Sequence, residues 1–168
     1  MSKIVIIGAG AMGSAFALPC LDNKHDINIV GTHLENDFID QLNKNNNLHP
    51  GLNTEIPKGI KIHKFAKFDN LMKSNVDLIV LGISSKGIEW VADQLSRIYK
   101  NIKIPKLLML TKGLSIHNNQ YELLVDKLER LLKEKGIKKA DISAVGGPCL
   151  AAGLANKVHR SVVIANKD

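Results

Sequence analysis

Directly behind its first apolar run, in KIVIIGAGAMGSA, the chain places three glycines, Gly8, Gly10 and Gly13. A buried strand that runs into G-x-G-x-x-G and then into small residues has few ways to continue. It must turn sharply, and a helix must then pack back along the strand at close range. In that arrangement Gly8 permits the turn. Gly10 lets main chain approach a pyrophosphate where a Cβ would collide, and Gly13 lets helix and strand touch. The first N–H groups of the helix, at its positive dipole end, then face the phosphates. An ordinary glycine-rich turn is the alternative, and the bare motif would not separate the two. Its setting, after a strand and opening a helix within a first β-α-β unit, favours dinucleotide binding.

The remainder of the chain supports such a unit. Apolar runs with strand character recur at Ile4–Ile7, Ile27–Val30, Ile60–Ile62, Leu78–Leu81, Leu107–Leu110, Ile142–Val145 and Val162–Ala165. Most are continuous rather than alternating, as strands buried on both faces should be. Helical spacing appears between them, at Ile88, Val91, Ala92, Leu95 and Ile98, and at Leu124, Leu128, Leu131 and Leu132 on a helix expected to end before Gly136. Asn36–Asn45 is a shorter candidate, and Pro19 is expected to weaken or kink the first helix. Alternating strands and helices predict an α/β fold, a doubly wound, mostly parallel, Rossmann-like sheet. The 168 residues suit a single domain, and with aromatics at only 4% its core must rest on Ile, Leu, Val and Ala. NKNNNLHPGLNTEIPKG reads as one long polar connection.

Several function classes recede. No apolar run approaches the ~20 residues of a membrane span. The N-terminus lacks the pattern of a secretory signal. Two cysteines, Cys20 and Cys149, make no disulfide framework. These features read as a cytoplasmic protein. The net charge of +7 fits nucleic acid, a phosphorylated small molecule or a solvated lysine-rich surface. The lysines are scattered with almost no aromatic interleaving, which favours the solvated surface over nucleic acid. The six histidines show no metal spacing, so no metal site is expected.

Choice between NAD and NADP belongs to the tip of the second strand, where an acid about 20 positions past the motif is the usual NAD signal. Here the strand ends IVGTHLEND. Thr32 and His33 take the ribose-facing positions, Glu35 and Asp37 come later, and no arginine stands ready for a 2′-phosphate. The sequence leaves the choice open. Three later loops fall at the carboxyl edge of the sheet, where open α/β sheets bind ligands. In LGISSKG, Ser84 and Ser85 face either the nicotinamide ribose or the start of the next helix as caps. In LTKGL, Lys112 directly follows an apolar strand, and a lysine desolvated there would need an anion. In VGGPCLAAGLA, Pro148 suits a first helical position, and the N–H groups after it would make a second anion-ready helix start. Cys149 has no identifiable histidine partner for nucleophilic work, and Cys20 reads as core.

Taken together, VIIGAGAMGSA, IVGT, NNNLHPGL with IPKGIKI, LGISSKG, LTKGL and GGPCLAAGLANKVHRSVVIA resemble, in order and spacing, the NAD(P)-dependent glycerol-3-phosphate dehydrogenases over essentially the whole chain. The resemblance implies hydride transfer between glycerol 3-phosphate and dihydroxyacetone phosphate, with NAD or NADP as cofactor. By position it implies cofactor contacts at Ala11, Met12, Thr32, Lys112 and Ala151, which join Gly8, Gly10 and Gly13 of the glycine turn and Ser84 of LGISSKG as cofactor-binding candidates. It implies substrate contacts at Lys112, Gly147 and Cys149, with Lys112 also catalytic. The chain departs from the family at Gly153, where an acid is common, at Thr32, where Arg or His is common, and at Cys149, where Ser, Thr or Ala is usual.

The resemblance also implies that residues 1–168 form the dinucleotide-binding domain. A helical substrate domain with a second catalytic lysine, most of the phosphate grip and a contribution to a homodimer is expected beyond residue 168. The chain alone is then expected to bind cofactor and show little or no turnover. Two other readings share the glycine turn: a related ketopantoate or 3-hydroxyacid reductase, and a non-catalytic NAD(P)-sensing module.

Overall fold

The computed structural model describes residues 1–159 and 161–167. Seven strands form one sheet in the order β11-β10-β7-β6-β1-β2-β5. They are β1 (Lys3–Ile7), β2 (Asp26–Val30), β5 (Ile60–His63), β6 (Leu78–Leu81), β7 (Lys106–Met109), β10 (Ile142–Gly146) and β11 (Val163–Ala165). Every pairing is parallel except that of β10 with β11. All seven apolar runs become strands, within a residue or so of their expected bounds.

The chain builds β1, β2 and β5 outward in one direction, then crosses back to lay β6, β7 and β10 on the other side of β1. The reversal opens a crevice at the carboxyl ends of β1 and β6, the position at which doubly wound sheets hold ligands.

Both faces of the sheet are covered, which is why the strand sequences are continuously apolar. On one face Val5, Ile7, Val30, Ile79 and Leu81 pack under α4 (Ile88–Tyr99) and α5 (Leu124–Glu134). On the other, Ile4, Ile6, Ile27, Ile29 and Val80 pack under α1 (Ala11–Asp22), with Ile39 of α2 (Asn36–Lys44) and Ala155 of α6 (Ala151–Ala155). Successive residues of β1 thus alternate between two cores. Beyond β5 the chain passes through the short α3 (Phe68–Met72) to reach β6.

α1 continues through Pro19 to Asp22. It stops in a Schellman arrangement with Lys24 left-handed at φ +62°. There Lys24 N donates to Leu21 O at 2.8 Å and His25 N to Cys20 O at 3.2 Å. α5 ends the same way through Gly136, at φ +97°, as its sequence suggests.

Two hairpins stand where the sequence suggests only connections. The long polar connection contains β3 (Leu48–His49) paired with β4 (Thr54–Glu55), and Leu52 and Ile56 within it are buried. Between β7 and α5 stands a second hairpin, β8 (Leu114–His117) with β9 (Gln120–Leu123). Its loop residues Asn118 and Asn119 lie at φ +49° and +59°. Cys20 is half-buried rather than fully in the core, and burial pushes its thiol up to about 11.

Candidate functional site

The three glycines of the opening motif do different work. A Cβ on Gly8, which sits at φ +103°, would lie 2.6 Å from Gly82 O, and one on Gly13 would lie 2.4 Å from Gly8 O. A Cβ on Gly82, at the tip of β6, would lie 2.8 Å from Gly13 Cα. Gly8, Gly13 and Gly82 therefore interlock main chain against main chain and seat α1 directly on the sheet. Gly82 was not singled out from the sequence, although it follows the apolar run of β6 directly. Gly10 is different: a Cβ there would meet nothing nearer than Glu35 Oε1, at 4.0 Å. The space above Gly10 is open, as a cradle for a closely approaching ligand requires.

Gly10 is also the N-cap of α1, so no side chain caps that helix. The first turn of α1 begins with Ala11 and Met12, whose amides have no carbonyl one turn behind them. A twelve-residue helix thus presents its amino end, with its partial positive charge, to the crevice. This chemistry fits a pyrophosphate.

The peptide around Ala9 is held from three sides. Its amide donates to Glu35 Oε1 at 3.0 Å. Its carbonyl accepts from Ser14 Oγ at 3.0 Å and from His49 Nε2 at 3.1 Å. His49 is buried in the β3–β4 hairpin, with Phe38 edge-on to its ring at a centroid distance of 5.2 Å. The polar connection is therefore a flap folded onto the glycine turn. At the tip of β2, Glu35 Oε2 accepts from Thr32 N at 2.7 Å. Glu35 thus lies close to Gly10, although the sequence places it past the tip of the strand. His33 turns away toward Trp90 and Phe65, with ring centroids 5.2 and 6.2 Å distant.

On the other side of the crevice, Ser84 is exposed and caps nothing with its side chain. Thr111 Oγ1 donates to Ile83 O at 2.5 Å, tying the loop after β7 to the loop after β6. Lys112 is exposed, so the expected desolvation does not occur; its ammonium donates to the Gly147 carbonyl. Gly147 lies at φ +100°. Pro148 does not open the next helix: α6 starts at Ala151 behind Leu150 and has only five residues. With so short a helix, the second anion-ready helix start loses most of its basis. Ala151 packs beside the α1 core.

A cavity of about 220 Å³ between α1 and the β10–α6 turn is lined by Met12, Lys112 and Cys149 together with Phe16, Pro19 and Leu110. The structure thus brings Met12, Lys112, Gly147 and Cys149 to one place. Thr32 lies at the far end of the edge, past the glycine turn. From β2 to β10 the edge crosses four inter-strand gaps, about 19 Å. The candidate residues are strung along it, as an extended ligand would need.

A doubly wound sheet with an interlocked glycine turn, an uncapped helix start and an open Gly10 defines a nucleotide-binding α/β domain. Comparison with known proteins agrees. A family model described as the NAD-dependent glycerol-3-phosphate dehydrogenase N-terminus matches residues 3–168, and the chain belongs to that family. It is 27% identical over 166 residues to the NADP(+)-dependent glycerol-3-phosphate dehydrogenase of Archaeoglobus fulgidus, covering 97% of this chain and 46% of that one. It is 28% identical over 172 residues to the glycerol-3-phosphate dehydrogenase [NAD(P)+] of Fusobacterium nucleatum, covering 100% and 48%. The crystal structure of glycerol-3-phosphate dehydrogenase from Coxiella burnetii shares the fold. Its TM-score is 0.77 at 19% identity, over 99% of this chain and 47% of that one. The chain spans about half the length of the relatives it matches.

Proposed function

We propose that this chain is the cofactor-binding part of an oxidoreductase that interconverts glycerol 3-phosphate and dihydroxyacetone phosphate. The observation that carries the reading is the contrast among the glycines. Gly8 and Gly13 are needed for packing, whereas Gly10 faces open space beside the uncapped amino end of α1. The amides of Ala11 and Met12 would receive the pyrophosphate of NAD or NADP. Thr32 would lie toward the adenosine ribose, and Ser84 and Ala151 would border the nicotinamide half. When bound, that cofactor supplies the hydride acceptor and donor.

Lys112 brings the positive charge. Its ammonium reaches across from the end of β7 to the Gly147 carbonyl, beside Cys149. There it would hold a phosphorylated substrate and steady the developing charge on its reacting oxygen. Gly147 and Cys149 would form the near wall of the substrate site. Proton transfer and most of the phosphate grip fall, in this reading, to the part of the relatives' length that this chain does not span. So does the homodimer contact.

Titration of the chain with NADH and NADPH, followed by nicotinamide fluorescence, tests the proposal. Saturable binding of at least one is expected. Gly10→Val should weaken it about tenfold or more while leaving the circular dichroism unchanged, because a Cβ there has no protein atom nearer than Glu35 Oε1, at 4.0 Å, and the side chain enters the space a pyrophosphate needs. Absence of saturable binding by both nucleotides would overturn the reading.

A further inference from the structure

We propose that His49, on the β3–β4 flap, is a positioning residue for diphosphate binding: through the Ala9 carbonyl it fixes the peptide that leads into Gly10. The proposal rests on the dinucleotide reading above and adds a residue outside the glycine turn on which the grip of that turn depends. His49 is 2% exposed, and its Nε2 lies 3.1 Å from Ala9 O. A carbonyl only accepts, so Nε2 carries the ring's proton and Nδ1 is left as a bare acceptor. Nδ1 is buried and has no partner among the described residues. The ring is wedged in place. Phe38 stands edge-on to it, and a Cβ on Gly51 would come within 3.3 Å of its Cε1 and 3.7 Å of the Ala11 Cβ. The flap thus seats His49 against the first turn of α1.

Packing alone does not require a histidine here. An unpaired buried acceptor is costly, and a phenylalanine would fill the same slot beside Phe38 without one. Nor does the Ala9 carbonyl need a second donor for its own sake, since Ser14 Oγ already reaches it at 3.0 Å. What the second donor adds is direction. Ser14 holds the carbonyl from within α1 and His49 holds it from the flap, so both lone pairs are engaged and the peptide cannot swivel. The Ala9–Gly10 peptide is trans, so its N–H points opposite to its C=O. Fixing the Ala9 carbonyl toward the flap therefore fixes the Gly10 N–H away from it, and with it the line along which main chain enters α1. That entry sets where the amides of Ala11 and Met12 converge, beside the open space above Gly10. A diphosphate is sensitive to such aim because its oxygens must meet several amides at once. An adenosine without phosphate makes no use of them.

The experiment compares the wild-type chain with His49→Phe, which keeps the ring and loses the donor, and with His49→Gln, whose amide N–H can serve the same carbonyl. Competition against NADH fluorescence gives the affinities for ADP-ribose and for adenosine, which differ by the diphosphate and its distal ribose. His49→Phe should weaken NADH and ADP-ribose about fivefold or more, as expected for one hydrogen bond, and change adenosine less than about twofold. His49→Gln should recover most of the loss. In heteronuclear NMR spectra the Gly10 amide should shift in His49→Phe and return toward its wild-type position in His49→Gln. The urea midpoint of His49→Phe should match or exceed that of wild type, because the unpaired Nδ1 is gone; a merely structural histidine predicts a fall. Should His49→Phe fail to fold, His49→Leu takes its place with the same binding outcomes. Equal weakening of adenosine and ADP-ribose would mark a general collapse of the site and overturn the proposal. So would an ADP-ribose affinity unchanged in His49→Phe, or weakened as much in His49→Gln. Absence of NADH and ADP-ribose binding by wild type would instead strike the underlying reading.

Discussion

The glycine turn behind β1 and the one behind β10 each carry a left-handed glycine, Gly8 at φ +103° and Gly147 at +100°. Their surroundings differ. The first is locked from below by Gly13 and Gly82 and held from the sides by Ser14, Glu35 and His49. The second is exposed at Gly147 and Pro148, leads into Leu150 at 75% exposure, and is bound to the rest of the edge through Lys112. Behind it, β11 has Val163 65% exposed, whereas Val5, Ile6 and Ile7 of β1 are fully buried. The first turn is thus preorganised by its own chain. The second takes its shape from fewer contacts.

The sharpest way to break this contrast is to add one methyl group at each turn. Gly8→Ala places a Cβ 2.6 Å from a backbone oxygen that cannot swing aside, in a conformation alanine disfavours. A loss of about 3 kcal/mol or more in urea unfolding is expected. Gly147→Ala meets Ser161 O at 3.2 Å, in an exposed turn with room to give. About 1–2 kcal/mol is expected there, mostly from the left-handed φ. Equal losses at the two positions would remove the distinction.

A smaller effect sharpens the comparison from the β5 side of the sheet. His63 Nε2 lies 3.1 Å from Oδ1 of Asn28, and burial, with Lys61 and Lys67 nearby, holds its pKa below the ordinary 6.5. The unfolded chain therefore takes up this proton more readily than the folded one. The associated stability is full above pH 6.5 and falls as the pH drops from there toward the lower folded value. His63→Gln should flatten that part of the curve in denaturant titrations between pH 7 and 5. Because Gly31 N donates to His63 O at 2.9 Å, the effect should reach the β2 tip and leave the Gly147 turn unmoved.

Much of the fold was legible because it follows from local pattern. A run such as LIVL is apolar on both faces, and only a doubly covered strand accommodates it. The glycine turn was legible for the same reason, since strand, glycines and small residues are contiguous. Other features depend on distant partners. Glu35 meets Ala9 across 26 residues and His49 meets it across 40, and neither contact leaves a local mark. Leu52 and Ile56, two apolar residues in an otherwise polar stretch, were the available hint of the flap. The β8–β9 hairpin carried a readable signal, since LSIH and QYEL flank a pair of asparagines suited to a two-residue turn with both φ positive. Lys112 shows the opposite error. Its place after a buried strand suggested burial, but β7 ends at Met109 and the loop carries the lysine into solvent.

Where Gly8, Gly13 and Gly82 meet, the spacing between helix and sheet is fixed by peptide groups alone. No rotamer can adjust it, and no repacking of neighbouring side chains can widen or narrow it. The floor of the crevice is consequently a constant of the fold. Diversification of what it holds must come from the rim, at the β2 tip, the flap and the loops after β7 and β10.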